Sequence, residues 1–206
     1  MSETAHPLAE QLAGSLVQRA GSRVLVAGIG SGRNLSPFLA AGIEVDALDP
    51  DPERVAALRT RYPANVRLHA HVCALERPLP VAPSADGALS THALLHGGLG
   101  YVAAALARLA ERLRNDGLLY VTFGSTRDPR CEHGERYDER TWIVASGSEV
   151  GVPHVFFDES SLRELLAAFT IDSLEERSAS QTAGSWAHSE AEAQTIVHWF
   201  VRARLR

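Results

Sequence analysis

Hydrophobic and polar positions alternate along this chain with two different periods. Leu8, Leu12, Leu16, Val17 and Ala20 recur at helical spacing and predict a helix over 8–20. Arg23-Val24-Leu25-Val26-Ala27 is then a near-continuous apolar run, as expected of a strand buried on both faces. A glycine-rich turn, Gly28-Ile29-Gly30-Ser31-Gly32-Arg33-Asn34, leads to a short helix over about 35–41 that Gly42 stops. Ile43 to Leu48 predicts a second strand, ending at Asp49. Pro52 stands where a proline can open a helix, and Glu53 to Arg61 continue it until Pro63. Val66 to Val72 reads as a third strand.

Pro78, Pro80 and Pro83 mark 73–84 as loop, and Asp86 to Ser90 is a short fourth strand. Val102, Leu106, Leu109 and Leu113 share one face of an amphipathic helix over 102–113. Asn115-Asp116-Gly117 is a turn before a fifth strand, Leu118 to Phe123. Residues 124–155 are polar and irregular and read as an insertion. Asp158 is expected to cap a helix over 159–168, followed by a strand over 171–177. A Ser/Ala/Gly-rich loop leads to a last strand over about 195–205. There Arg202, Arg204 and Arg206 alternate with Val201, Ala203 and Leu205, the pattern of a strand with one solvated face. Alternating strands and helices predict a single α/β domain over 1–206 with a doubly wound parallel sheet. Such sheets bind ligands outside the carboxyl ends of their strands.

Composition narrows the chemistry. The chain has 206 residues, 45% hydrophobic and 22% charged, which suits one soluble domain with an insertion. All 20 of its Lys+Arg residues are arginine. Without lysine there is no Walker A phosphate loop, no kinase lysine and no Schiff base. A net charge of -5 and scattered arginines argue against a nucleic-acid partner. No apolar run reaches the roughly 18–20 residues of a membrane span, and the N-terminus lacks a signal-peptide pattern. Cys73 and Cys131 have no zinc or redox spacing and are expected to be free thiols in a reducing cytoplasm.

The turn after the first strand carries the binding chemistry. Glycines there let a ligand approach the backbone, and Asp49, about twenty residues on, can hold the two hydroxyls of a ribose. The spacing is Gly-x-Gly-x-Gly, with Arg33 where a dinucleotide site has its third glycine. A wider loop suits a nucleoside cofactor without a pyrophosphate. Together with Val45-Asp46-Ala47-Leu48-Asp49, Leu113-Arg114-Asn115-Asp116-Gly117-Leu118-Leu119-Tyr120-Val121 and the closing His198-Trp199-Phe200-Val201-Arg202-Ala203-Arg204, this chain resembles the class I S-adenosylmethionine-dependent methyltransferases. Gly32-Arg33-Asn34, Ser90-Thr91-His92-Ala93-Leu94-Leu95-His96 and Pro153-His154-Val155-Phe156-Phe157 are most similar to the small-molecule, TehB-like type.

The resemblance implies a seven-stranded Rossmann-like sheet with an antiparallel last strand. It implies S-adenosylmethionine as cofactor and S-adenosylhomocysteine as product. The cofactor would meet Gly28, Gly30, Gly32, Asn34, Asp49 and Ser90. The chain departs from the family at Val26, where an acidic residue is common, and at His71-Val72-Cys73, where an aspartate often stands beside the adenine. The acceptor would be a small molecule methylated on oxygen, nitrogen, sulfur or a chalcogen, by a monomer or homodimer. No Asn-Pro-Pro-Tyr run, as in the resembling DNA amino-methyltransferases, follows the fourth strand.

His92 and His154 are the candidate bases or orienting groups, because imidazole titrates near neutrality. His92 and His96 stand four residues apart, but no third metal ligand follows nearby, so no metal is expected. Cys131-Glu132-His133 reads as solvated loop, and Tyr101 as helix-start packing. The insertion at 124–155 is where a substrate lid would sit. Two other readings share the fold: a nicotinamide-dependent oxidoreductase, and a protein that binds S-adenosylmethionine without transferring methyl.

Overall fold

Alternate residues of the first strand, Arg23–Ala27 (β1), supply opposite cores. Val24 and Val26 pack on one side of the sheet, Leu25 and Ala27 on the other, which is why the run is apolar throughout. The structure, a computed structural model, describes residues 4–18, 21–147, 149–178 and 196–206. The first face is covered by helices Pro7–Leu16 (α1), Ser36–Ala40 (α2) and Pro52–Arg61 (α3). The second is covered by Leu99–Ala110 (α4) and Glu159–Leu165 (α5).

Glu44–Asp49 (β2), Leu68–Val72 (β3), Ala85–Ser90 (β4) and Leu113–Ser125 (β5) join β1 in a parallel array ordered β3-β2-β1-β4-β5. Val197–Leu205 (β10) runs antiparallel between β5 and Phe169–Ser178 (β9). This is the expected doubly wound sheet, closed by an antiparallel last strand. The arginine alternation in β10 is solvated as its pattern predicts. Val201 and Ala203 are buried, while Arg204 forms a forked pair with Asp172 of β9 at 2.8–3.1 Å.

Local chemistry explains most boundaries. Pro52 opens α3, and Asp51 caps it by accepting from Glu53 N at 2.8 Å. Asp158 caps α5 through Ser161 N at 2.8 Å. α1 stops at Leu16, short of the expected end at Ala20, which lies outside the described residues. α4 begins and ends three residues earlier than its apolar stripe suggests, because Leu113 pairs with Ala85 as the first residue of β5. The expected Asn115-Asp116-Gly117 turn is a kink inside that strand. Asp116 takes φ 59°, and the pairing with β4 shifts register between Ala85 and Gly87.

The segment 124–155 is more ordered than its composition suggests. Glu135–Arg136 (β6), Thr141–Ile143 (β7) and Pro153–Phe157 (β8) form a small antiparallel sheet. β8 then pairs in parallel with the end of β5, Phe156 opposite Gly124 and Phe157 opposite Ser125. The Ser/Ala/Gly-rich loop at 179–195 lies outside the described residues. No helix among the described residues is long and apolar enough to cross a membrane.

Cys73 and Cys131 are free and partly buried. Burial, with nearby carboxylates, pushes both thiols up to about 11. At pH 8 each is expected to react with iodoacetamide roughly a hundredfold more slowly than in the unfolded chain, a ratio read by mass spectrometry with and without urea.

Candidate active site

The carboxyl ends of β1, β2 and β4 open into a cavity of about 520 Å³. Its floor is the turn after β1. Gly28 has φ 76°, and a Cβ there would stand 2.2 Å from the Cβ of Ala93, so only glycine fits. Ala93 is brought so close because His92 takes the left-handed conformation, φ 57°, with its N–H donating to Thr122 Oγ1 at 2.8 Å. Two loops from neighbouring strands thus interlock beneath the cavity.

Asp49, the last residue of β2, is almost fully buried and lines the cavity. Its Oδ2 accepts from Ile29 N at 2.9 Å and its Oδ1 from Asp51 N at 3.0 Å. A carboxylate oxygen can accept twice, so each keeps capacity for one further donor. Two adjacent oxygens with that spare capacity match a vicinal diol.

The other expected residues divide. Gly28, Gly30, Asn34 and His92 line the cavity with Asp49. The Asn34 amide is engaged at both ends, accepting from His6 N at 2.9 Å and donating to Thr91 Oγ1 at 2.8 Å. It ties α1, the glycine turn and the end of β4 together. Ser90 is fully buried, donates to the Ala27 carbonyl at 3.0 Å, and is not on the wall. Gly32 is off the wall as well, with a Cβ position only 3.1 Å from Leu58. Tyr101, expected as helix-start packing, also reaches the cavity.

The cavity also gathers residues that lie far apart in sequence. His92 sits with His6 and His198, ring centroids 5.1 Å away in each case. Burial, then the charge of His198, His6 and Arg33, pushes His92 well below the usual imidazole range, so the ring is neutral at pH 7. Glu149, from the segment before β8, lies 3.1 Å from His96 Nε2 and 3.0 Å from His154 Nε2, and accepts from Arg130 NH1 at 2.9 Å. Burial alone would raise this carboxyl, but hydrogen bonds from His154 and His96 outweigh it and hold it well below the usual range. His154 is fully buried behind Glu149 and does not line the cavity, whereas His96 and Glu149 do. His96 meets His154 and Glu149. Glu149, Arg130 and His198 carry no local sequence signal; long-range pairing of β8 and β10 brings them here.

Residues 25–119 match the family model for a methyltransferase domain. The chain carries a methyltransferase domain. No curated protein matches the sequence. Among solved structures, the methyltransferase is similar to the 1,6-didemethyltoxoflavin-N1-methyltransferase of Burkholderia thailandensis, which was crystallised with 1,6-didemethyltoxoflavin and S-adenosylhomocysteine. The two are 25% identical, with a TM-score of 0.67 over 98% of this chain and 79% of that one. A Methanosarcina mazei S-adenosylmethionine-dependent methyltransferase is 16% identical, with a TM-score of 0.76 over 98% of both chains. TehB from Haemophilus influenzae shares the fold at 14% identity, with a TM-score of 0.67 over 95% of this chain and 62% of that one.

The cofactor of the methyltransferase is S-adenosylmethionine. The residues present fit it: a turn whose first glycine, Gly28, admits no Cβ, a diol-matching carboxylate and a cavity within the usual size range of small-molecule sites. The family's frequent acidic position before the first glycine is held by Val26, which is core. At β3, His71 is used inside the fold, bonding the buried Asp46 at 3.1 Å.

Proposed function

We propose that the protein methylates a small-molecule acceptor on oxygen, nitrogen, sulfur or a chalcogen. One observation carries this reading: a single cavity is lined by Asp49 together with His92, His96 and Glu149. Bound S-adenosylmethionine supplies an electrophilic methyl carbon on a sulfonium, so the protein has mainly to align, dehydrate and, for some acceptors, accept a proton. Asp49 holds the ribose, and the backbone of Gly28 to Ser31 lies under the rest of the cofactor.

His92 sits at the acceptor end. A ring held so far below its usual pKa is a weak base, so His92 orients the acceptor by hydrogen bonding more than it deprotonates it. His154 acts through Glu149, as a positioning residue. Residues 124–155, which bring Arg130 and Glu149 to the wall, serve as the substrate lid of a single domain over 1–206. Free thiols and the negative net charge are consistent with work in the cytoplasm, as a monomer or homodimer, on a substrate other than nucleic acid.

The test is incubation with S-adenosylmethionine and a panel of small hydroxyl, amine, thiol and chalcogen acceptors. Methylated product and S-adenosylhomocysteine in equal amounts are expected for at least one acceptor class. Tight S-adenosylmethionine binding with no S-adenosylhomocysteine across the panel would favour the non-methylating alternative. A shift in nicotinamide fluorescence on mixing would favour the oxidoreductase.

A further inference from the structure

We propose that His96, Glu149 and His154 form a binding site for a divalent transition-metal ion, open towards the cavity. The starting point is His154. Its Nδ1 lies 3.0 Å from the Val152 carbonyl, which can only accept, so Nδ1 carries a hydrogen. Its Nε2 then faces Glu149 Oε2 at 3.0 Å. A lone pair on each of these atoms would repel, so a proton or a cation must lie between them. His96 Nε2 approaches the other oxygen of the same carboxylate at 3.1 Å. All three potential ligand atoms fall within 4.8 Å of one another.

The backbone holds the two histidines in place. His96 and His154 are directly opposed in an antiparallel bridge, with Val155 N donating to Leu95 O and Gly97 N to Pro153 O, both at 2.9 Å. The Val152 carbonyl fixes the His154 ring in the tautomer that presents Nε2, the arrangement usual for a metal-bound imidazole. Two imidazoles and one carboxylate suit zinc, iron or cobalt better than magnesium or calcium. Three protein ligands leave a coordination position open, as catalytic sites do. His96 and Glu149 line the cavity and His154 stands behind them, so that position faces the cavity.

Arg130 limits the affinity. Its guanidinium lies 2.9 Å from Glu149 Oε2 and opposes a second cation there. Binding weaker than at a closed four-ligand site is expected. Uptake of the ion does not depend on the proposed methyl transfer. Where that reading also holds, the open position would take an anionic oxygen or sulfur donor of the acceptor and orient it towards the methyl group.

The test is titration of tag-free, chelator-treated protein with Co²⁺ and Zn²⁺, without cofactor or acceptor. One equivalent of Co²⁺ with visible d–d bands is expected, displaced by Zn²⁺ and not by Mg²⁺. His96→Ala and Glu149→Gln should each weaken uptake at least tenfold, while His69→Ala, on β3, should not. Thermal melts of each variant report folding. No one-to-one uptake by the wild type, or unchanged uptake in folded His96→Ala, would overturn the site and leave a proton between His154 and Glu149. Metal uptake without turnover would instead count against the methyl-transfer reading alone.

Discussion

Asp49→Ala is expected to weaken S-adenosylmethionine binding about a hundredfold, roughly 3 kcal/mol. Two contributions add. The carboxylate offers one spare acceptor position on each oxygen, and hydrogen bonds to a charged acceptor contribute about 1.5–3 kcal/mol each. It also holds the glycine turn through Ile29 N at 2.9 Å, so its loss frees the floor of the cavity. Asp49→Asn retains an oxygen for one of these bonds and gives up the charge, so a loss of about tenfold is expected there. Calorimetric titration with S-adenosylhomocysteine measures both, and far-ultraviolet circular dichroism separates lost binding from lost fold. Wild-type affinity in folded Asp49→Ala would show that the ribose is held elsewhere.

Acid is expected to destabilise the protein steeply below pH 6.5, through buried histidines. His6 and His198 are both buried, and their pKa values are lowered to about 3, first by burial and then by neighbouring arginines. His6 also accepts from Leu8 N through Nδ1 at 3.2 Å, capping α1, and a proton on that nitrogen would break the cap. The sign follows from linkage. Below pH 6.5 the unfolded chain takes up protons that the folded rings refuse, so stability falls with pH until about pH 3, where the folded rings protonate too. Each ring costs up to about 1.4 kcal/mol per pH unit, so the two together would remove roughly 2–4 kcal/mol by pH 5. That is a large part of a typical domain's stability, about 5–15 kcal/mol. Urea melts at pH 7.5 and 5.0 measure the loss. His6→Asn keeps a capping side chain without a titrating ring and should reduce the slope by roughly a third, because the His92 ring is depressed in the same direction. An unchanged slope in His6→Asn and in His198→Asn would place the acid sensitivity elsewhere.

The parallel half of the fold was legible because burial on both faces leaves a plain trace. Arg23–Ala27 reads as a strand from its apolar run alone, and the glycine turn and Asp49 follow at the places where strand ends must lie. Legibility failed where one periodicity imitated another. Leu113 continues the apolar stripe of α4 in register and yet belongs to β5. It failed again where polar residues build structure through distant partners. Val197 N donates to Asp128 at 3.0 Å and Arg130 pairs with Glu149, contacts between segments that share no local pattern. Ser90 and Asn34 show the converse. Both stand at positions that read as ligand contacts, and both side chains are engaged by the protein itself, with Asn34 still on the cavity wall.

β5 has a consequence for how this enzyme could diversify. The chain leaves the sheet at Ser125 and returns along β8, whose Phe157 is the direct parallel neighbour of Ser125. The excursion between them starts and finishes on the same few ångströms of sheet edge. Such a segment is a cassette: it can be lengthened, shortened or exchanged while the register of every strand beneath it stays the same, and closing a longer loop costs little. Since Arg130 and Glu149 both ride on that cassette and Asp49 does not, a new acceptor preference can be installed in the cavity without altering β2.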